Sequence, residues 1–182
     1  MTSLDGQGFR LRRATPEDAE FLVDLATNGD VEPFMSASAA KDRESILERI
    51  ARSDAEPERT GHFVLEVEWH GSSWRAGTMA FSTVNERSRI AQLFGVTLHP
   101  DFRGRGLAAE ATRLFARYLL DDLGFHRVQL ECYAFNERAI RHFERSGFVK
   151  EGVKRRAYRR HDEWVDGVLF GLVAEDLETT SR

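Results

Sequence analysis

The sequence has little of what several specialised protein classes require. Cys132 is the only cysteine among the 182 residues, so no disulfide can form within the chain and a cytoplasmic location is expected. No apolar run approaches the ~20 residues that a membrane-spanning helix needs, and the opening residues lack the basic and apolar regions of a signal peptide. The formal net charge of -4 leaves no global basic field. We therefore expect neither a membrane nor a nucleic acid among the partners.

The composition is that of an ordinary folded domain. Charged residues make up 31% and hydrophobic residues 41% of the chain, which is typical of globular proteins. The length suits one domain with a full core, and no repeat or low-complexity block divides it. The sequence therefore predicts a single domain over 1–182, with flexible ends at 1–8 and 178–182.

Apolar periodicity predicts the order of secondary structure. Strands alternate at period two, and helices place apolar residues on one stripe. The predicted strands are 9–13, 62–69, 74–83, 90–98, 127–133, 148–154 and 163–172, and the predicted helices follow Thr15 and Asn136 and cover 41–53 and 107–123. Short turns make most neighbours antiparallel, whereas the strands on either side of the longest helix should be parallel, joined by a right-handed crossover. This is an α/β (α+β) fold with one mixed, mostly antiparallel sheet of about seven strands and about four helices.

One stretch, 96–108, has the properties of an anion site. A strand ends at Leu98, and a loop with two glycines leads into the longest helix, which has no Ser, Thr, Asn or Asp at its N-cap. Its first N–H groups therefore lack an obvious side-chain partner, and glycines allow a ligand to approach the backbone. Arg103 and Arg105 add positive charge at the positive end of the helix dipole. These features predict a phosphate cradle; the alternative is a tight turn with solvated arginines.

Two motifs together resemble the GNAT acyltransferase superfamily and, within it, the Rim-type N-acetyltransferases. The loop pattern of that family, Arg/Gln-x-x-Gly-x-Gly/Ala, is met by Arg103, Gly106 and Ala108. A second pattern, an Asn followed by Ser or Ala, an aromatic residue and Gly-Phe, is met by Asn136, Ala139, Phe143, Gly147 and Phe148. Both motifs occur in the family's order, over a resemblance that spans about 9–177.

The resemblance implies acetyl-CoA as the co-substrate and no metal. It implies that the pyrophosphate is held by backbone N–H groups of Arg103, Gly104, Arg105, Gly106, Leu107 and Ala108. The backbone of Val96, Thr97 and Leu98 would pair with the pantetheine amides as an added strand would, where the parallel strands of the family splay apart. Asn136 would lie near the pantetheine arm, and Phe143 would pack along the cofactor. The implied reaction is direct attack of a neutral amine on the thioester.

The sequence gives weaker signals for the catalytic acid and base of such a reaction than for its cofactor site. Phe143 and Ala139 stand where family members often carry a tyrosine or a serine, and neither can donate a proton. We expect Glu131 and Tyr133, on the strand before Asn136, to be the catalytic candidates, with Glu66 or Glu68 on the hairpin as further possible bases. Each of these side chains has the alternative of being simply solvated. The missing donors also leave open a non-catalytic acyl-CoA sensor or interaction module.

The resemblance also concerns the partners of the protein. It implies a primary amine as acceptor, on a protein N-terminus or on a small molecule, and it leaves open a homodimer.

Three further features of the sequence have two interpretations each. Phe34 and Met35 either border the acceptor pocket or belong to the core. The basic run 154–161 is interpreted as a solvated hairpin turn rather than a surface for RNA or an acidic acceptor, because flanking acids dilute its field. Cys132 alternates with core residues and should be a small buried hydrophobe.

Overall fold

The computed structural model describes residues 3–36, 39–160 and 162–179. Eight strands form one sheet in the order β1-β2-β3-β4-β5-β6-β8-β7. The strands are β1 Ser3–Gly6, β2 Phe9–Arg13, β3 Thr60–Trp69, β4 Ser72–Asn85, β5 Ile90–Leu98, β6 Arg127–Tyr133, β7 Val149–Arg160 and β8 Glu163–Leu172. Among these described strands, β5 and β6 form the parallel pair, and each other neighbouring pair is antiparallel. The predicted mixed sheet is confirmed, with one strand more than expected.

Five α-helices accompany the sheet in the described part of the chain. They are α1 Ala19–Thr27, α2 Arg43–Ala55, α3 Leu107–Arg117, α4 Glu137–Arg145 and α5 Ala174–Thr179. A 3₁₀ turn at Pro16–Asp18 precedes α1, and a π-helical turn at Tyr118–Asp122 continues α3. No helix of the described residues is long and apolar enough to span a bilayer.

The described ends of the chain carry regular structure that the sequence did not predict. Ser3–Gly6 pairs with β2 from Ser3 opposite Arg12 to Gly6 opposite Phe9. Sequence patterning missed this strand because it is short and polar and lies at the sheet edge, where burial imposes no apolar alternation. At the other end, α5 extends through Glu178 and Thr179. Residues 1–2 and 180–182 lie outside the described residues.

The sheet has a core on each face. The larger core lies between the sheet and α3 and α4, and the smaller one lies under α1 and α2. The larger core includes Phe63, Phe81, Leu93, Phe115, Leu119, Val128, Leu130, Phe170 and Leu172, and the smaller one Ala14, Ala19, Leu22, Ile46, Ile50 and Val64. Neighbours such as Phe63 and Val64 face opposite cores, as the period of two along a strand requires.

Most of the basic run forms the second half of β7 rather than a turn. β7 continues to Arg160, and its register against β8 shifts between Lys154 and Tyr158. At this bulge Arg156 has a φ of 50°, and its N–H donates to Asp166 Oδ1 over 2.7 Å. The interpretation as a hairpin turn was therefore wrong for 154–160, although residues 154–157 are exposed. His161 lies outside the described residues.

Candidate active site

β5 and β6 separate after a short parallel ladder, and we refer to the gap between their ends as the cleft. Their parallel ladder contains three pairs, Ile90 with Arg127, Ala91 with Val128 and Gln92 with Gln129. Beyond that point β5 shifts register against β4, near Gly95, whose φ is 63°. β5 then continues to Leu98 in pairing with β4 alone, while β6 continues in pairing with β8. One edge of 96–98 therefore faces the cleft without a ladder partner, as the resemblance led us to expect.

The cleft leads to the open N-terminus of α3. Gly104 and Gly106 have φ values of 80° and 77°, and Gly106 is the N-cap of α3 with no side chain capping it. A Cβ built on either glycine would meet nothing within 4 Å. The first N–H groups of α3 therefore have no side-chain cap, and the loop beside them is open at the positive end of the helix dipole. This loop fits a diphosphate group, since both the backbone donors and the required room are present.

The two loop arginines have different surroundings. Arg103 Nε donates to the carbonyl of Leu98 over 3.2 Å, and burial together with the charge of Arg138 lowers the pKa of Arg103. The Arg105 guanidinium carbon lies 3.3 Å from the ring centroid of Trp69, at the end of β3, in a cation–π contact. Arg105 is thereby held against the β3–β4 hairpin. Sequence reasoning missed Trp69, because no spacing connects it with the loop.

Asn136 caps the start of α4, and Phe143 packs α4 against the sheet. Asn136 Oδ1 accepts the N–H of Ala139 over 3.1 Å, so the predicted helix cap is confirmed. Phe143 is buried, and its ring centroid lies 6.0 Å from that of Phe148 and 5.9 Å from that of Phe170. Asn136 lies just after β6 at the end of the cleft, whereas Phe143 belongs to the larger core.

Glu131 and Tyr133 share one face of β6 but have different partners. Glu131 is 18% exposed, and its Oε2 pairs with Lys154 Nζ over 2.7 Å. Its carboxylate lies against Gly167 of β8, on the side of β6 away from β5. Tyr133 is 8% exposed and stacks on Phe135, with ring centroids 5.2 Å apart. Tyr133 ends β6 directly before the Asn136 turn, so it lies nearer to the cleft opening along the strand than Glu131 does.

The hairpin carboxylates belong to a different region. Glu66 lies on β3, which β4 separates from β5, and it pairs with Arg12 over 2.8 Å. Arg12 also binds Asp18, which is fully buried and receives a second ion pair from Arg75. Burial disfavours the Asp18 carboxylate, but hydrogen bonds from Arg12 and Thr15 outweigh it and lower the pKa of Asp18. These residues stabilise the start of α1, and the structure does not bring Glu66 or the exposed Glu68 to the cleft.

Cys132 has no marks of a nucleophile. It is partly buried and packs against the larger core. Burial and the neighbouring Glu131 raise the pKa of its thiol to about 11, so little thiolate is present near neutral pH. Within the described ranges, no group of three or more His, Cys, Asp or Glu side chains is arranged to hold a metal ion.

Curated relatives share parts of this sequence. The chain is 34% identical to the SPbeta prophage-derived N-acetyltransferase YokL of Bacillus subtilis over 42% of its own length and 44% of that protein. It is 26% identical to the spermidine N(1)-acetyltransferase of Escherichia coli K12 over 79% of its own length and 74% of that protein. The first curated relatives, YokL and two further Bacillus subtilis proteins, are matched over only 44%, 56% and 48% of their lengths, so the chain spans about half of each.

Solved structures share the fold. The ribosomal-protein-S5-alanine acetyltransferase from Vibrio fischeri superposes with a TM-score of 0.81 at 16% identity, over 97% of this chain and 99% of that chain. The sequence pattern of the acetyltransferase (GNAT) domain matches residues 9–149. That range includes the cleft, the loop before α3 and the whole of α4. The chain therefore belongs to the GNAT acetyltransferase family.

Proposed function

We propose that the chain is an acetyl-CoA-dependent N-acetyltransferase that acts on a primary amine. The observation that carries this proposal is the continuity of two binding features. The unpaired edge of 96–98 leads directly to the uncapped N-terminus of α3. An extended amide-bearing arm ending in a diphosphate has the chemistry to fill both.

Backbone groups make the binding contacts in this proposal. The N–H groups from Arg103 to Ala108 bind the pyrophosphate, and the free edge of Val96, Thr97 and Leu98 pairs with the pantetheine amides. Bound there, acetyl-CoA supplies the activated acetyl group. Asn136 contributes by fixing the start of α4 at the end of the cleft. Phe143 acts through the core behind the cofactor rather than by direct contact.

Tyr133 is the better placed of the two catalytic candidates. It ends β6 beside the opening, and its hydroxyl can donate a proton to a leaving thiolate. Lys154 engages only Oε2 of Glu131, whereas the buried Oε1 has no hydrogen-bond partner. Oε1 is therefore the atom that would accept a proton from the attacking amine, directly or through a water molecule. We propose Tyr133 as the acid and retain Glu131 as a candidate base.

The acceptor is proposed to be a small-molecule amine or a protein N-terminus, as in the Rim-type enzymes. Similar proteins differ in this respect. One similar to this chain is named as a spermidine acetyltransferase, and another, from Salmonella typhimurium, as an acetyltransferase of alanine in ribosomal protein bS18. The second matches only 45% of this chain. The residues around the cleft therefore decide which of the two classes of acceptor binds.

Release of free thiol from acetyl-CoA in the presence of an amine panel tests the proposal. Turnover should require both substrates. Tyr133→Phe should lower kcat by about 10²-fold or more with little change in KM for acetyl-CoA, the usual effect of losing a general acid. Glu68→Gln, on the remote hairpin, is the matched control and should retain full activity. Tight acetyl-CoA binding without turnover of any amine would instead support the sensor or interaction module.

A further inference from the structure

Four aromatic side chains meet just beyond the cleft, and we refer to them as the aromatic cluster. They are Phe34, Tyr133, Phe135 and Tyr158, which come from the α1–α2 connection, the end of β6, the turn after it and β7. Successive ring centroids lie 5.9 Å apart for Phe34 and Phe135, 5.2 Å for Tyr133 and Phe135, and 5.6 Å for Tyr133 and Tyr158. Phe34 is 38% and Phe135 42% exposed. The cluster therefore presents an aromatic surface at the place where an acceptor must approach the end of β6.

Two arginines already lie over the faces of this cluster. The guanidinium carbon of Arg138 lies 5.4 Å from the centroid of Phe34, and that of Arg160 lies 5.4 Å from the centroid of Tyr133. Arg160 Nη2 donates to the carbonyl of Pro33 over 3.0 Å, and its Nε is buried without a hydrogen-bond partner. Neither arginine forms an ion pair with a described carboxylate.

The acids around the cluster have partners at other residues, except at one atom: Glu131 Oε1 is buried without a hydrogen-bond partner. Glu131 pairs with Lys154, Glu32 with Lys41, and Glu137 with Arg141. Asp166 accepts the N–H of Arg156 at the β7 bulge. Arg138 and Arg160 are therefore the cations that lie directly over ring faces of the aromatic cluster without an ion pair to a described carboxylate.

We propose that the acceptor carries a carboxylate close to its amine and that polyamines are disfavoured. This inference rests on the proposed function and specifies its substrate class. A cationic acceptor would find the aromatic faces occupied by guanidinium groups and would be repelled by them. A carboxylate would instead receive charge-assisted hydrogen bonds from the arginine side chains. The carboxylate can belong to a free amino acid or to an acidic side chain near a peptide N-terminus.

Matched amines test this preference. L-Phenylalanine and phenethylamine share the ring and the primary amine but differ in the carboxylate, and spermidine represents the polyamines. We expect kcat/KM for phenylalanine to exceed that for phenethylamine by about tenfold or more, the effect of one charge-assisted contact, and spermidine to be the poorest substrate. The peptides Ala-Glu-Phe-amide and Ala-Gln-Phe-amide distinguish the two sources of the carboxylate, since only a side-chain carboxylate would favour the first.

Variants on α4 test whether Arg138 causes the preference for a carboxylate. Arg138→Gln should reduce the phenylalanine to phenethylamine ratio towards one, and Arg138→Lys should restore most of it. Arg141→Gln, at an ion-paired arginine on the same helix, should leave the ratio unchanged. An equal or higher kcat/KM for phenethylamine or spermidine, or an unchanged ratio in Arg138→Gln, would overturn the inference.

A binding measurement separates this inference from the proposed function. In the presence of coenzyme A, phenylalanine should raise the Tm of the full chain more than phenethylamine does at equal concentration. If no amine is turned over, the proposed function fails, while a larger Tm shift with phenylalanine still supports the carboxylate preference. Equal shifts with both amines would contradict it independently of activity.

Discussion

The glycine at the N-cap of α3 offers a sharp test of the proposed diphosphate site. Gly106→Asp places a negative charge where the site requires room and positive potential. In the free protein a Cβ at this position meets nothing within 4 Å, so steric conflict is not expected. The φ of 77° strains most L-residues by roughly 1–2 kcal/mol, and Asp or Asn less, but this strain is present in both the free and the bound protein. It therefore lowers the stability of the fold without directly lowering the affinity.

The loss of affinity should come from charge. Two unit charges 4 Å apart repel by about 1 kcal/mol in water and about 4 kcal/mol at the effective dielectric constant of a protein surface. The open loop lies between these limits, so we expect coenzyme A to bind about 10- to 100-fold more weakly, at ~1.4 kcal/mol per tenfold. Gly106→Asn is the matched control, because asparagine has the same size and tolerates the left-handed conformation without adding a charge.

Calorimetric titration with coenzyme A measures this difference. The affinity gap between the Asp and Asn variants should narrow as salt is raised, because ions screen exposed charges. The Tm of each variant reports the backbone strain separately. Equal affinities of the Asp and Asn variants, or wild-type affinity in both, would show that the diphosphate does not bind at the N-terminus of α3.

Other parts of the structure lead to further predictions. Asp18→Asn removes the charge from a fully buried carboxylate that pairs with two arginines, so we expect urea unfolding to show a loss of about 3–5 kcal/mol, whereas Asp5→Asn at an exposed pair should change little. The pKa values of His62 and His142 are lowered to about 4, mainly by burial. As the pH falls, the unfolded state binds these protons at a higher pH than the folded state does. Each histidine should therefore lower the free energy of unfolding by about 2 kcal/mol between pH 7 and pH 5. A variant with both histidines changed to glutamine should lose this pH dependence. The raised pKa of Cys132 should slow its alkylation by iodoacetamide at pH 7.5 by about 100-fold relative to a free thiol, and Cys132→Ser should retain acetyl transfer.

Much of the local structure follows from short-range patterns in the chain. The bounds of β2, β5, β6 and β8 match the predicted ranges, because alternating apolar residues must face the two cores. The capping signals before α1 and α4 were also sufficient, since Thr15 and Asp18 bond each other across three residues and Asn136 bonds Ala139. Such contacts depend on residues within one turn, which the sequence displays directly.

Contacts between distant segments could not be predicted in the same way. Two such contacts join residues that long stretches of chain separate. One is the cation–π contact of Arg105 with Trp69, and the other is the aromatic cluster. The face of β6 that carries Glu131 was predictable, but the Lys154 that engages it lies on β7, which reaches β6 only across β8. Strand order and register decide such neighbours, and neither has a local signal.

The glycine loop before α3, the cap of α4 and the alternation of the strands were determined by the sequence alone, because each depends on the conformational limits of a few adjacent residues. The tertiary structure alone decided that the ladder of β5 and β6 ends after three pairs, a point that the resemblance did not fix, and that two arginines cover the aromatic cluster beside that opening. These features arise from packing between segments that are remote in the chain. The proposed donor site is therefore visible in the sequence, whereas the arginines at the proposed acceptor surface are brought together only by the fold.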